Sequence, residues 1–175
     1  MASSITPAVT GARPIAVGAR ARPHAWLALV AFILLCQAAG GAGATLTDAS
    51  WYRALPRPAW APPGWLFGPV WVTLYTLMGI AAWLVWRRPA SPARRAALTW
   101  FAVQLALNAA WTPVFFGLRS LTGGLAIIVA LAAAIVMTIV RFRPLSPAAA
   151  WLLAPYLAWV VFATSLNAAI AWLAR

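Results

Sequence analysis

The chain has 175 residues, 65% hydrophobic and 8% charged, with a mean hydropathy of +0.87. With a single acidic residue, Asp48, it has too little polar surface for a soluble globule of this length and reads as a membrane protein. Its 13 basic residues are all arginine and form no continuous basic face, so the net charge of +12 is read as short basic loops and not as a nucleic-acid surface.

Residues 1–25 are polar, punctuated by Gly and Pro and free of acid, which predicts a disordered basic tail ahead of a membrane domain over 26–175. Two processing readings stay open. The Arg- and Ser-rich start has the character of an organelle transit peptide, and Trp26–Cys36 followed by AAGGAGA has the form of a cleavable signal sequence. A bilayer-spanning helix needs about 20 apolar residues, and Trp26–Ala44 is the first of five stretches that qualify. Its Gly40-x-x-x-Ala44 spacing predicts close packing on a neighbouring helix, and Cys36, with no second cysteine, reads as a small packing residue.

Between the first and second stretches lies Trp51–Trp71, WYRALPRPAWAPPGWLFGPVW, which holds four of the 12 tryptophans and five of the 14 prolines. Proline fixes φ and removes a donor, while Trp pairs a large apolar body with one N–H, so a rigid, interfacial lid is expected here. The second stretch, Leu66–Trp86, carries Trp71, Tyr75 and Met78 on one face. The third, Ala97–Phe116, places Gln104, Asn108, Trp111 and Phe115 at spacings of four, three and four. A ridge of Ala102, Ala106 and Ala110 on a neighbouring face suits close contact within the bundle or across a homodimer. The fourth stretch is Leu121–Val140, and the fifth, Ala148–Leu173, repeats Pro155, Trp159, Ala163 and Asn167 every four residues, with a kink expected at Pro155. Each amide and aromatic also reads as an ordinary core residue, but three such stripes facing one another would line an apolar pocket with a few orienting polar groups.

The expected architecture is an all-α membrane protein, a five-transmembrane-helix bundle with the Trp/Pro-rich lid loop between helices 1 and 2. Arg13, Arg20, Arg22, Arg87, Arg88, Arg94, Arg95, Arg141 and Arg143 fall on one side and only Arg53, Arg57, Arg119 and Arg175 on the other. That asymmetry predicts a cytoplasmic N-terminus and an external lid. No carboxylate pair, partnered His or Cys, phosphate loop or metal cluster is seen, so acid–base and nucleophilic catalysis have no candidates. An ion-coupled pump would want an ionisable group at mid-bilayer, and the stretches offer only thiol and phenol.

Three blocks carry a resemblance. They are Trp51-Tyr52-x-x-Leu55-x-x-Pro58-x-Trp60-x-Pro62-Pro63-x-Trp65-x-Phe67 with Pro69-Val70-Trp71-x-x-Leu74-Tyr75-x-x-Met78-Gly79; then Gln104-x-x-x-Asn108-x-x-Trp111-Thr112-Pro113-Val114-Phe115-Phe116-Gly117; then Pro155-Tyr156-Leu157-x-Trp159-x-x-Phe162-Ala163-x-x-Leu166-Asn167. In order and spacing they resemble the TspO/translocator-protein family of tryptophan-rich sensory proteins over about residues 26 to 173. The resemblance implies a five-helix bundle, commonly dimeric, that binds protoporphyrin and other tetrapyrroles, sterols and benzodiazepine-type ligands under the first long loop. Carried over by position, the ligand-binding residues are Tyr52, Pro62, Trp71, Tyr75, Asn108, Trp111, Phe115, Trp159 and Ala163.

Aromatic rings would stack on a flat macrocycle, and Arg53 and Arg57 in the lid are placed for its propionates, although solvated loop arginines are an equal reading. No metal site or required cofactor is expected. His24 lies in the tail and Cys36 is isolated, so free-base porphyrin should bind at least as well as haem. The sterol motif of the family, with its tyrosine near the C-terminus, is not matched by the ending Asn167-AAIAWLAR, while Leu46, Tyr52 and Arg57 fit only a loose pattern. The resemblance also implies a light- and oxygen-dependent breakdown of porphyrin, for which Trp71 would be the oxidisable aromatic. Receptor or sensor is the leading reading, passive transporter of porphyrins or sterols the second and scaffold the third. A bacterial membrane is expected from the Arg/Ala bias and short loops, with a eukaryotic organelle left open.

Overall fold

The computed structural model describes residues 24–44 and 49–175, with side chains over 24–41 and 50–175. The expected disordered tail with Arg13, Arg20 and Arg22 lies outside the described residues, as do Leu46 and Asp48; only its last two positions, His24 and Ala25, are described, at the start of the first helix. Helices follow as α1 (Ala25–Ala44), α2 (Ala49–Ala54), α3 (Phe67–Trp86), α4 (Pro92–Thr112), α5 (Leu121–Phe142), α6 (Pro147–Leu152) and α7 (Ala154–Leu173), with no strand among the described residues. A 3₁₀ turn, Gly64–Leu66, leads into α3, and a π turn, Pro113–Gly117, extends α4.

Serine caps set three of the starts. Ser91, Ser120 and Ser146 accept hydrogen bonds from the backbone N–H groups of Arg94, Gly123 and Ala149 at 3.1, 3.1 and 3.3 Å, and Pro92 and Pro147 occupy first-turn positions where no N–H is needed. At the opposite end of α3, Arg94 Nη1 donates to the carbonyls of Trp86 and Arg88 at 3.1 and 2.7 Å, satisfying acceptors that the helix leaves open.

The helices close a ring in which α1 packs on α3, α3 on α6, α6 and α7 on α5, α5 on α4 and α4 on α1. Small residues set the spacing, as expected where lipid supplies no hydrophobic drive between helices. A Cβ on Gly79 would lie 2.6 Å from Ile33 Cα, and one on Gly40 would enter the ring of Tyr75, so both glycines permit the approach of α1 to α3. Trp83 Nε1 donates to the Ala25 carbonyl at 2.7 Å, and Gln37 Nε2 donates to Val72 O and Thr76 Oγ1 at 3.0 and 3.1 Å, which ties the same pair along its length. Phe101 of α4 stacks on Phe142 of α5 at 6.1 Å.

By length and hydropathy, three helical stretches among the described residues can cross a membrane: Gly64–Trp86, Leu121–Phe142 and Pro147–Leu173. Ala25–Gly41 is a shorter apolar helix, and α4 is less apolar because Arg94 and Arg95 open it and Gln104 and Asn108 interrupt it. The protein is thus an all-helical integral membrane protein. Two boundaries differ from expectation. The third helix begins at Pro92 and not at Ala97, drawn back by its serine cap. The fifth stretch is two helices broken around Leu153, because Pro155 has no N–H to donate to the preceding turn.

Candidate functional site

The π turn after α4 follows from Pro113, which cannot donate back along the helix. The chain widens, Leu118 N–H bonds to Pro113 O at 2.9 Å, and the turn brings Phe115 and Phe116 one after the other to the end of α4. Phe115 is 2% exposed and stacks on Trp111 with centroids 4.8 Å apart, and Gly124 of α5 makes room for it, since a Cβ there would lie 2.7 Å from Phe115 Cδ2. From the other side α2 lays Trp51 against Phe115 at 5.6 Å and Tyr52 against Phe116 at 5.8 Å. Arg57 sits 5.6 Å over the Tyr52 ring, while Arg53 is exposed at the end of α2.

A second wall forms where the loop meets α7. Trp60 rests edge-on against Phe162 at 5.8 Å and Phe67 edge-on against Trp159 at 5.7 Å, while Trp159 lies tilted against Phe162 at 5.5 Å. Ala163, half-buried, follows one turn after Trp159, and Pro62 is half-buried in the loop. The loop between α1 and α3 therefore bridges α4 and α7.

The third wall lies deeper. Trp71 stacks on Tyr75 at 5.2 Å with planes 25° apart and meets Tyr156 edge-on at 6.2 Å. Both tyrosines end on one side chain: Tyr75 donates to Asn108 Oδ1 at 2.7 Å, and Asn108 Nδ2 donates to Tyr156 Oη at 3.0 Å. Asn108 thus joins α3, α4 and α7 through a buried network, and its amide is engaged within the protein. Consecutive turns link the three walls, Asn108 to Trp111 along α4 and Tyr156 to Trp159 along α7.

Around these walls the Tyr52 hydroxyl and the indole N–H groups of Trp111 and Trp159 are buried with nothing to accept their hydrogens, since Arg57 beside Tyr52 can only donate. Each is a donor in otherwise aromatic surroundings, which is costly unless something accepts. Burial pushes the Tyr52 phenol above its ordinary value while the Arg57 charge pulls the other way, so it stays protonated and able to donate at neutral pH. Gln104 and Asn167, 1% and 2% exposed, also hold unpartnered amides. His24 opens α1 beside the Trp83 end of α3, away from the loop.

Of the expected site residues, the structure brings Tyr52, Trp111 and Phe115 into one cluster and Trp71, Tyr75 and Asn108 into another, with Trp159 beside the loop. It gives Pro62, Ala163 and Arg53 no ring or hydrogen-bond contact with them. Tyr156, Phe116 and Phe162 are the residues that sequence reasoning left out. Tyr156 is fully buried, whereas Pro155, placed on the stripe in its stead, is exposed.

The TspO/MBR family model matches residues 32–173. The chain is 44% identical over 119 residues to the Translocator protein of Homo sapiens, covering 67% of this chain and 70% of that protein. It is 44% identical over 147 residues to the Tryptophan-rich protein TspO of Archaeoglobus fulgidus, covering 82% and 95%. It is 38% identical over 142 residues to the Tryptophan-rich sensory protein of Cereibacter sphaeroides, covering 81% and 88%.

Proposed function

Because the chain belongs to the TspO/MBR family, we propose that it is a membrane receptor or sensor that binds a tetrapyrrole, protoporphyrin in the first place, between its three aromatic walls. In this reading α1, α3, α4, α5 and the α6–α7 pair are five spans, and the 51–71 segment is the lid. The observation that carries it is the set of three buried donors, Tyr52 Oη, Trp111 Nε1 and Trp159 Nε1, among rings that a flat macrocycle can replace as stacking partners. Trp71 flanks the macrocycle, held by Tyr75 and Tyr156. Asn108 then acts by positioning that flank, and Arg53 and Arg57 take the propionates at the rim. Binding requires no metal, and free-base porphyrin is expected to bind at least as well as haem.

Titration of the detergent-purified chain with protoporphyrin should quench tryptophan fluorescence saturably at one site, and should quench less in a Trp111→Phe/Trp159→Phe variant even after allowance for the two lost emitters. Quenching that rises linearly without saturation would defeat the receptor reading. The name Translocator protein, borne by the human relative, favours a second reading, passive passage of porphyrins or sterols. Flux of protoporphyrin across proteoliposomes above that of empty liposomes would select it.

A further inference from the structure

At the lid end of the bundle, apart from the three walls, a cleft of about 700 Å³ opens between the turn after α4, the start of α5 and the end of α7. Leu118, Leu125 and Ala168 line its apolar side, and Arg119, Trp172 and Arg175 its rim, with no acidic residue among the lining. Leu118 and Trp172 are 74% and 71% exposed, so they flank the cleft without filling it. Alanines on the α7 face leave the space open.

Two arginines make the cationic rim. The Arg175 guanidinium lies 5.1 Å over the Trp172 ring, which keeps it beside the cleft and marks the level where an exposed indole meets the headgroup region. Arg119 is the one non-glycine residue with positive φ among the described residues, at 50°, a conformation that costs about 1 kcal/mol in an L-residue. The chain holds this conformation with an arginine where glycine would be unstrained.

We propose that this cleft binds an anionic phospholipid, with an acyl chain against Leu118, Leu125 and Ala168 and the phosphate between Arg175 and Arg119. Guanidinium offers paired donors that match phosphate oxygens, and the apolar side excludes a bare ion as the whole ligand. Phosphatidylcholine carries the same phosphate, but its choline cation would sit beside two guanidiniums and cancels the lipid's net charge, so the site selects phosphatidylglycerol over it.

Native mass spectrometry of the full chain, released from detergent with either lipid, reads this directly. Phosphatidylglycerol should be retained in preference to phosphatidylcholine. Arg175→Gln should weaken it about fivefold, and Arg119→Gln/Arg175→Gln about 25-fold. Ala168→Trp, at an exposed position, fills the cleft with both charges intact and should weaken binding as much as the double variant. All three variants should keep the wild-type melting temperature and protoporphyrin quenching, which separates this site from the tetrapyrrole site. Equal retention of the two lipids, undiminished binding in Ala168→Trp, or complete displacement of the lipid by millimolar inorganic phosphate or by protoporphyrin would each overturn the proposal.

Discussion

Asn108 is where three helices are joined by single atoms. Its carbonyl oxygen accepts from Tyr75 and its amide donates to Tyr156, each bond sealed from solvent. Asn108→Ala would leave two phenols buried with no partner, a cost of about 1–3 kcal/mol each in a protein interior, though polar pairs in membrane helices have measured nearer 0.6. Tyr156→Phe removes one bond and leaves one amide hydrogen wanting. Thermal unfolding in detergent should therefore rank Asn108→Ala below Tyr156→Phe and both below wild type. Equal midpoints for all three would mean that the network holds nothing together. Asn108 and Tyr75 were legible as members of polar stripes, but Tyr156 was hidden by helix phase. The row Pro155, Trp159, Ala163, Asn167 advances by four, and such a row drifts around a helix with 3.6 residues per turn. It begins on the exposed face at Pro155 and reaches the buried face only at Asn167, whereas Tyr156, Val160, Asn167 and Ile170 follow the true period.

Small residues serve two separate ends among the elements. Gly40 and Gly79 face inward and set the distance between α1 and α3, with Gly79 against the Ile33 backbone, which has no rotamer by which to yield. Ala102 and Ala106 of α4 are exposed, so the ridge expected to pack within the bundle or across a dimer is turned away from the bundle, and a homodimer contact is the reading left for it. The two kinds of position should respond differently to bulk. Gly79→Leu is expected to cost at least about 2 kcal/mol and to lower the melting temperature sharply. Ala106→Leu should leave the melting temperature unchanged and shift the particle from dimer to monomer in light scattering. Loss of fold in Ala106→Leu, or a wild type already monomeric, would count against the dimer face. The Gly40 contact was readable from its small-residue spacing. The π turn and the break at Leu153 were not, because apolar runs report where a helix crosses and stay silent on where proline shifts its hydrogen-bond phase.

At the scale of the molecule, the arginines and the loop contacts point the same way. The start of α1 is tied to the end of α3 through Trp83 and Ala25, the start of α4 to the end of α3 through Arg94 and Trp86, and the middle of α4 lies against the end of α5 through Phe101 and Phe142, so successive long helices run antiparallel. Arg87, Arg88, Arg94, Arg95, Arg141 and Arg143 consequently gather at one end, while Arg53, Arg57 and Arg119 flank the loop at the other. From this distribution the positive-inside rule predicts the first group in the cytoplasm and the 51–71 segment outside, with α3 crossing between them. Cysteine accessibility decides it. In a Cys36→Ala background expressed in a bacterial inner membrane, Ala59→Cys in the loop and Ala90→Cys before α4 both introduce thiols at exposed positions. A membrane-impermeant maleimide should label position 59 in intact cells and position 90 only after permeabilisation. Labelling of 90 alone would invert the topology and put the lid, with any ligand it admits, on the cytoplasmic side. Labelling of both in intact cells would mean that α3 does not cross, and the five-span reading would fall with it.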